Sequence, residues 1–270
     1  GVSAYKNESL RLKYADKDIR DLAASLRSVY GSARFRSLVL VNEEVTADAA
    51  DKATLFLSQA HPEDVVILAI AGHGVHDSDA AATYYYLTHD TDVANLASSA
   101  MNFEKVESIL QGIAPRRKLF LMDTCESGEA DPSVETSYYD KAKSIGAAAR
   151  TTRAIAVTKK KSSAGRSAFL RADRFIYNDL MRRSGAIVLS SCRGSEFSYE
   201  HDSIRNGYFT RSVIEALSGK ADADRNGSVS VSELRNFVSD DVAKKTEGLQ
   251  HPTIDRDNVN MRLALPYARP

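Results

Sequence analysis

The chain has 270 residues, 43% of them hydrophobic, which is enough for one large α/β domain or two small ones with a substantial core. Its 36 basic and 36 acidic residues balance, so the composition predicts no general attraction to nucleic acid or to an anionic membrane surface. No apolar run reaches the roughly 18 residues that a membrane span needs. No secretory signal is visible and two cysteines make no disulfide framework, so we expect a reducing, cytoplasmic location.

Strand and helix patterns alternate along the chain. Residues 1–7 read as the end of a truncated first strand. Hydrophobic periodicity predicts helices at residues 16–30, 46–60, 103–110, 173–183, 208–217 and 233–245. Apolar runs predict strands at residues 38–41, 65–71, 118–122, 186–191 and 259–265, with an extra strand or hairpin at 83–88. The alternation predicts an α/β fold with a mostly parallel central sheet and helices on both faces.

Two of these strands end in residues that suit nucleophilic catalysis. The run at 65–71 leads into Gly72-His73-Gly74, and the run at 118–122 leads into Asp123-Thr124-Cys125-Glu126-Ser127-Gly128. If the strands are parallel neighbours, His73 and Cys125 meet at the carboxyl edge of the sheet, where open α/β folds keep their sites. The histidine lies 52 residues upstream of the cysteine, close to the spacing of about 50 residues in caspases.

These two motifs resemble those of caspase-like cysteine peptidases, and most closely the metacaspase, paracaspase and bacterial orthocaspase branch. The resemblance extends from Tyr14 to Pro252 and implies a single caspase-haemoglobinase-like peptidase domain over residues 1–270. It also implies that the N–H groups of Gly74 and Cys125 form the oxyanion hole.

A cysteine peptidase needs a thiolate, a nearby base and donors for the developing oxyanion. Cys125 supplies the sulfur, and His73 can take its proton and pass it to the leaving amine. No third member is evident, so we expect a dyad. The alternative is a buried core thiol beside a hydrogen-bonded loop histidine. His76, three residues further on, is interpreted as a solvated loop residue.

Carboxylates near the nucleophile favour a basic residue before the scissile bond. Asp123 shares a strand face with Cys125, because alternate strand residues point the same way. The resemblance implies that Asp18 and Glu200 join it in the primary pocket, and Ser190 and Ser191 end the adjacent strand. The alternatives are a helix N-terminal charge for Asp18 and a surface position for Glu200. Cys192 is interpreted as a structural thiol.

The segment after the nucleophile is rich in small and basic residues. Residues 130–168 read as a mobile insertion that can enter an extended-substrate groove. We expect self-cleavage after Lys161 or Arg166, with Arg150 and Arg153 as the next candidates. The alternative is a solvated basic loop that is not processed.

An embedded segment fits the EF-hand calcium loop. Residues 222–233 match it at positions 1, 3, 5, 6, 9 and 12, with Gly227 at the sharp turn. Oxygen ligands of this kind suit a hard cation; the candidates are Asp222, Asp224, Asn226, Ser228, Ser230 and Glu233. The alternative is a hydrogen-bonded Asp/Asn/Gly turn without metal.

These observations predict a cysteine endopeptidase that cleaves after Arg or Lys in proteins or peptides. The chemistry itself requires no cofactor, and calcium is expected only at residues 222–233. One rival interpretation is a catalytically silent caspase-like interaction module. Another is a calcium sensor built on the EF-hand-like loop.

Overall fold

The computed structural model describes residues 1–77, 83–127, 132–150, 184–193, 196–254 and 263–267, without the side chains of 125–127 and 132–136. Within these ranges the α-helices are α1 (Ala15–Tyr30), α2 (Ala49–Leu57), α3 (Leu96–Ser99), α4 (Phe103–Gln111), α5 (Pro132–Ser144), α6 (Tyr208–Glu215) and α7 (Val231–Lys245). The strands are β1 (Val65–His76), β2 (Tyr84–Tyr86), β3 (Met101–Asn102), β4 (Arg117–Ser127), β5 (Ala147–Arg150), β6 (Ala186–Ser190), β7 (Ser198–His201), β8 (Asn206–Gly207), β9 (Ser228–Ser230), β10 (Thr253–Ile254) and β11 (Ala264–Pro266).

A mixed sheet in the order β10-β6-β4-β1-β2-β3 forms the centre of the fold. Its three central strands β6, β4 and β1 are parallel, whereas β10, β2 and β3 pair antiparallel at the two sides. The predicted α/β fold class is confirmed, with antiparallel strands flanking a parallel centre.

Alternate residues of the central strands pack against helices on opposite faces. In β4, Leu119 and Leu121 join the core formed with α1, α6 and α7. Phe120 and Met122 point the other way, into the core formed with α2 and α4. A strand buried on both faces has no polar alternation, which is why β4 reads as a continuous apolar run.

Two smaller sheets lie outside the central one. A three-stranded antiparallel sheet has the order β5-β7-β8, and β9 pairs with β11. The first of these sheets lies beside the predicted catalytic edge, because Arg150 of β5 contacts both Glu200 of β7 and Asp123 of β4.

Some sequence expectations were wrong. Residues 1–7 and 38–41 form no strand, and Leu38 is exposed. The 130–168 segment was expected to be a mobile insertion, but residues 132–150 of it form α5 and β5, which pairs with β7. The predicted helix at 173–183, most of the predicted strand at 259–265 and residues 151–168 lie outside the described residues.

Candidate active site

The predicted base and nucleophile occupy neighbouring positions on β1 and β4. The register of these parallel strands pairs His73 with Cys125, and adjacent strands lie about 4.8 Å apart. Both residues lie near the carboxyl ends of their strands. The strand arrangement therefore brings the two residues to one edge of the sheet.

A backbone carbonyl orients the His73 ring. His73 Nε2 lies 2.8 Å from the carbonyl oxygen of Leu10. Because a carbonyl oxygen only accepts, Nε2 carries the proton and donates it. Nδ1 then holds the lone pair; it is buried and has no hydrogen-bond partner among the described atoms. The ring therefore offers Nδ1 as a proton acceptor.

The surroundings of His73 keep its imidazole neutral. Burial lowers the pKa of His73 to about 4, outweighing the hydrogen bond to Leu10, which raises it. The positive charge of Arg150 lowers this pKa further. A neutral imidazole at pH 7 can accept a proton from a thiol, as a general base must.

The backbone before His73 needs glycine. Gly72 has a φ of 153°, which side-chain-bearing residues rarely adopt, and a Cβ there would lie 2.7 Å from the hydroxyl of Tyr5. That hydroxyl accepts a hydrogen bond from the His73 N–H at 2.9 Å. Gly72 thus allows Tyr5 to approach and hold the backbone of His73.

The other residues of the histidine motif lie on the same strand. Gly74 registers with Tyr86 on one side of β1 and with Glu126 on the other; its oxyanion role stays a prediction. His76 was expected in a solvated loop, but it ends β1, and its ring packs edge-on against Tyr84 with centroids 5.0 Å apart.

Three carboxylates converge on one buried arginine, and we call Asp18, Asp123 and Glu200 the acidic cluster. Arg150 Nη1 lies 3.1 Å from Asp123 Oδ2, and its Nε lies 3.3 Å from Glu200 Oε2. Its Nη2 pairs with Asp18. The Arg150 side chain is fully buried, and no carboxylate of the cluster is more than 3% exposed.

The acidic cluster has three carboxyl groups for the single positive charge of Arg150. Burial lowers the pKa of Arg150, but the carboxylates of Asp123, Asp18 and Glu200 together raise it well above its ordinary value, so Arg150 stays charged. Burial raises the pKa of Asp18 against the opposing pull of Arg150. One cation thus faces more negative charge than it can neutralise if all three carboxyls ionise.

Hydrogen bonds from neighbouring segments hold the carboxylates in place. Asp123 accepts from the hydroxyls of Ser198 at 2.7 Å and Thr210 at 2.6 Å. Asp18 accepts from Asn206 Nδ2 at 2.8 Å and from the Gly207 N–H at 3.0 Å. The Lys13 N–H donates to Glu200 at 2.9 Å. Sequence reasoning did not find Ser198, Thr210 or Asn206, because ordinary polar residues carry no distinctive signal.

The two serines expected in the pocket make other contacts. Ser190 Oγ donates to the carbonyl of Cys192 at 3.3 Å, and Ser191 Oγ donates to the carbonyl of Thr124 at 3.3 Å. Their hydroxyls are satisfied at the end of β6, whereas Ser198 and Thr210 contact the acidic cluster. Cys192 is buried, as expected of a structural thiol.

The comparisons with known proteins agree with this arrangement. A family model described as the caspase domain matches residues 1–263. The chain belongs to the caspase-domain family. This membership supports a caspase-like protease and confirms the resemblance seen in the sequence motifs.

The structural comparison supports the same fold. The caspase domain superposes on the crystal structure of protein GSU0716 from Geobacter sulfurreducens with a TM-score of 0.58 and 18% sequence identity, covering 94% of this chain and 90% of that one. No curated protein matches the sequence. None of the helices in the described ranges has the length and apolar character to cross a membrane.

The EF-hand-like loop of the caspase domain brings three carboxylates together, of which Asp224 is exposed. Oxygens of Asp222, Asp224 and Glu233 lie within 4.8 Å of one another. Backbone N–H groups already bond all three: Gly227 donates to Asp222 at 2.9 Å, Asn226 to Asp224 at 3.1 Å and Ala223 to Glu233 at 2.9 Å. This geometry fits both the calcium loop and the metal-free turn that the sequence allowed.

The remaining predicted ligands take part in local hydrogen bonds. Asn226 Oδ1 accepts from the Ser228 N–H at 2.8 Å. Ser230 caps α7, because its hydroxyl oxygen accepts from the Glu233 N–H at 3.2 Å. The Glu233 carboxylate in turn accepts from the Ser230 N–H at 2.9 Å and from the Ser230 hydroxyl at 2.7 Å. Between them, Val229 is 1% exposed and pairs with Leu265 of β11. The caspase domain therefore supplies its own strand partner for this loop.

One of the four predicted self-cleavage residues lies in the described part of the chain. Arg150 ends β5 and is buried in the acidic cluster. Lys161, Arg166 and Arg153 lie outside the described residues.

Proposed function

We propose that this caspase domain is a cysteine endopeptidase that hydrolyses peptide bonds after Arg or Lys in proteins or peptides. The observation that carries this proposal is the convergence of the acidic cluster on a guanidinium beside the strands that bear His73 and Cys125. Asp123 links the two features, since it precedes Cys125 by two residues on β4.

In the proposed reaction, the Cys125 thiol passes its proton to His73 Nδ1 as the sulfur attacks the substrate carbonyl carbon. The N–H groups of Gly74 and Cys125 stabilise the negative oxygen that forms. The carbon–nitrogen bond then breaks, and His73 returns the proton to the departing amine. Water hydrolyses the resulting thioester, releasing the carboxylate product and restoring the thiol.

The pocket favours a basic side chain through charge and arginine through shape. Nε, Nη1 and Nη2 of Arg150 each contact a different carboxylate. A planar guanidinium matches three separated acceptors, whereas the single ammonium of lysine matches fewer at once. An acidic substrate side chain would instead meet like charges at a cost of several kcal/mol. We therefore expect Arg over Lys, and both over Asp.

The dyad is tested by Cys125→Ala and His73→Ala, assayed with peptides ending in Arg or Lys before the cut. Each variant should lose cleavage while its circular dichroism and melting temperature show an intact fold. Retention of a tenth of wild-type activity by either variant would exclude that residue from its role. The silent interaction module would be favoured by two results together. These are no peptide cleavage by the wild type and no labelling of Cys125 by an arginine-directed thiol reagent.

Self-processing is part of the same proposal. The candidates are Lys161, Arg166, Arg150 and Arg153, and the same wild-type and Cys125→Ala preparations can be compared by intact mass. A nick present only in the wild type supports processing in cis or in trans by this enzyme. The same nick in both preparations would assign it to a contaminating protease.

Calcium binding by residues 222–233 is proposed separately from the chemistry. Its support is the meeting of Asp222, Asp224 and Glu233 oxygens in a loop with EF-hand spacing. The calcium-sensor alternative has the same loop as its working part, and the titration described in the Discussion separates it from a metal-free turn.

A further inference from the structure

β5 lies along β7 in the way that an extended peptide adds to the edge of a sheet. The strands are antiparallel, with Arg150 opposite Ser198 and Ala147 opposite His201. Among the described strands β5 pairs with β7 alone, whereas β7 is also paired with β8 on its other side. Recognition of this kind relies on main-chain hydrogen bonds and on pockets for alternate side chains.

Arg150 is the one large side chain of β5. Residues 147–149 are alanines, of which Ala148 is exposed and Ala149 half-buried. Arg150 follows them, fully buried in the acidic cluster. Apart from Arg150, the strand thus offers nothing larger than a methyl group to hold it in place.

The acidic cluster is built by parts of the chain other than β5. Asp18 belongs to α1, Asp123 to β4 and Glu200 to β7, and each is held by neighbours outside β5. A structural ion pair needs one carboxylate for one cation, but Arg150 faces three. Because an unpaired buried carboxylate is costly, a cluster that loses Arg150 should favour any other basic side chain able to enter it.

We propose that β5 is an internal pseudosubstrate, with Arg150 filling the pocket for the substrate's basic side chain and residues 147–149 filling the groove before it. This inference rests on the proposed function in taking the acidic cluster as that pocket. The intact chain is then self-blocked, and a substrate must displace β5 to pair with β7. Substrates entering the same groove should favour a small residue at the position of Ala147, which is 9% exposed.

The test measures binding rather than catalysis, so all variants carry Cys125→Ala. The probe is the tetrapeptide acetyl-Ala-Ala-Ala-Arg amide, which copies residues 147–150, titrated by calorimetry. Adding Arg150→Ala should tighten binding at least tenfold over Cys125→Ala alone. Arg153→Ala, which removes the same charge three residues further on, should leave binding unchanged. A probe with Asp in place of Arg should bind to none of the variants.

A second variant loosens β5 while retaining Arg150. Ala148→Pro removes one backbone N–H from the strand without disturbing a buried side chain, because Ala148 is exposed. It too should tighten binding of the Ala-Ala-Ala-Arg probe, by less than Arg150→Ala does. Thermal unfolding of each variant accompanies the titrations, since a strand that can be displaced must be dispensable for the fold.

Equal affinity of Cys125→Ala and both loosened variants would overturn the inference, and so would failure of both variants to fold. Either result would make β5 a permanent part of the domain, without bearing on whether Cys125 and His73 perform catalysis. Conversely, inactivity towards all peptides of Arg150→Ala with Cys125 intact would remove the proposed reaction, while tighter probe binding by Arg150→Ala in the Cys125→Ala background would still support the inference.

Discussion

The chain contains two groups of three carboxylates, and the two groups are stabilised in different ways. In the acidic cluster the carboxylates are buried and share the cation of Arg150. In the EF-hand-like loop Asp224 is exposed, and backbone N–H groups bond Asp222 and Glu233. Water screens charge in the loop, whereas nothing but protein groups balances it in the cluster.

The difference extends to the pKa values of the carboxyls. In the loop, burial raises the pKa of Asp222, but hydrogen bonds from Tyr267 and the Gly227 and Asn226 amides lower it below its ordinary value. In the cluster, burial dominates and raises the pKa of Asp18. The pKa values of Asp222 and Asp18 thus shift in opposite directions, because hydrogen bonds outweigh burial at Asp222 whereas burial dominates at Asp18.

Of the changes that compare the two groups of carboxylates, Asp123→Asn should cause the largest loss of activity. The change removes the charge that faces Arg150 Nη1 while preserving the size of the side chain. For peptides with Arg before the cut we expect kcat/KM to fall by about 30-fold or more, since truncating a buried charge pair costs roughly 2–5 kcal/mol. The measurement is best made in the Arg150→Ala background, where the chain's own arginine does not compete.

Asp224→Asn is the matched control for that measurement. It makes the same chemical change in the exposed group of carboxylates. It should leave kcat/KM within about twofold, as is usual for surface substitutions. Equal losses in the two variants would show that the acidic cluster does not bind the substrate, and would also contradict the proposed specificity.

The pH dependence of stability also distinguishes the buried site from the loop, and here the titrating group is His73. The pKa of His73 is lowered to about 4 in the folded chain, against roughly 6.5 in an unfolded one. The unfolded state therefore binds the proton more readily, and the free energy of unfolding should decrease as the pH falls from about 6.5 to 4. The decrease amounts to about 3 kcal/mol, at 1.36 kcal/mol for each pKa unit.

The His73→Gln variant isolates this contribution. The difference in unfolding free energy between wild type and variant should be constant above about pH 6.5 and should shift by about 3 kcal/mol against the wild type as the pH falls to 4, because only the wild type has the imidazole. Asp222 and Glu233 in the loop, with pKa values lowered below their usual range, lose their contribution at lower pH still. A constant difference between the two proteins over pH 4–7 would mean that His73 is not held neutral by the fold.

The sequence was sufficient to predict which main residues of the site lie close together. The two apolar runs predicted adjacent strands, and the register of β1 and β4 pairs His73 with Cys125. Asp18, Asp123 and Glu200 were assigned to one pocket through the family resemblance, and the structure brings all three to Arg150. Motifs at fixed strand positions make such assignments feasible.

The residues that the sequence did not predict act through the backbone or through distant pairing. The Leu10 carbonyl has no side-chain signature, although it sets the tautomer of His73. Arg150 lies in a segment without clear periodicity, and its burial depends on carboxylates at positions 18, 123 and 200. The four apolar residues at 38–41 were read as a strand because short runs of this kind are ambiguous without their tertiary partners.

The smallest expected effect comes from calcium at the loop. If the site binds with a Kd near 0.1 mM, 1 mM calcium should stabilise the folded chain by about 1.4 kcal/mol and raise the melting temperature by a few degrees. Asp224→Ala should abolish the shift, since it removes an oxygen ligand that is exposed and caps no helix, whereas Asn would retain one. Glu233 is less suitable for this test because it completes the capping box of α7, so its replacement would destabilise the chain with or without metal.

Magnesium at the same concentration should have little effect, because it demands a smaller, octahedral shell. A wild-type chain whose melting temperature does not respond to 10 mM calcium would identify the loop as a hydrogen-bonded turn without metal.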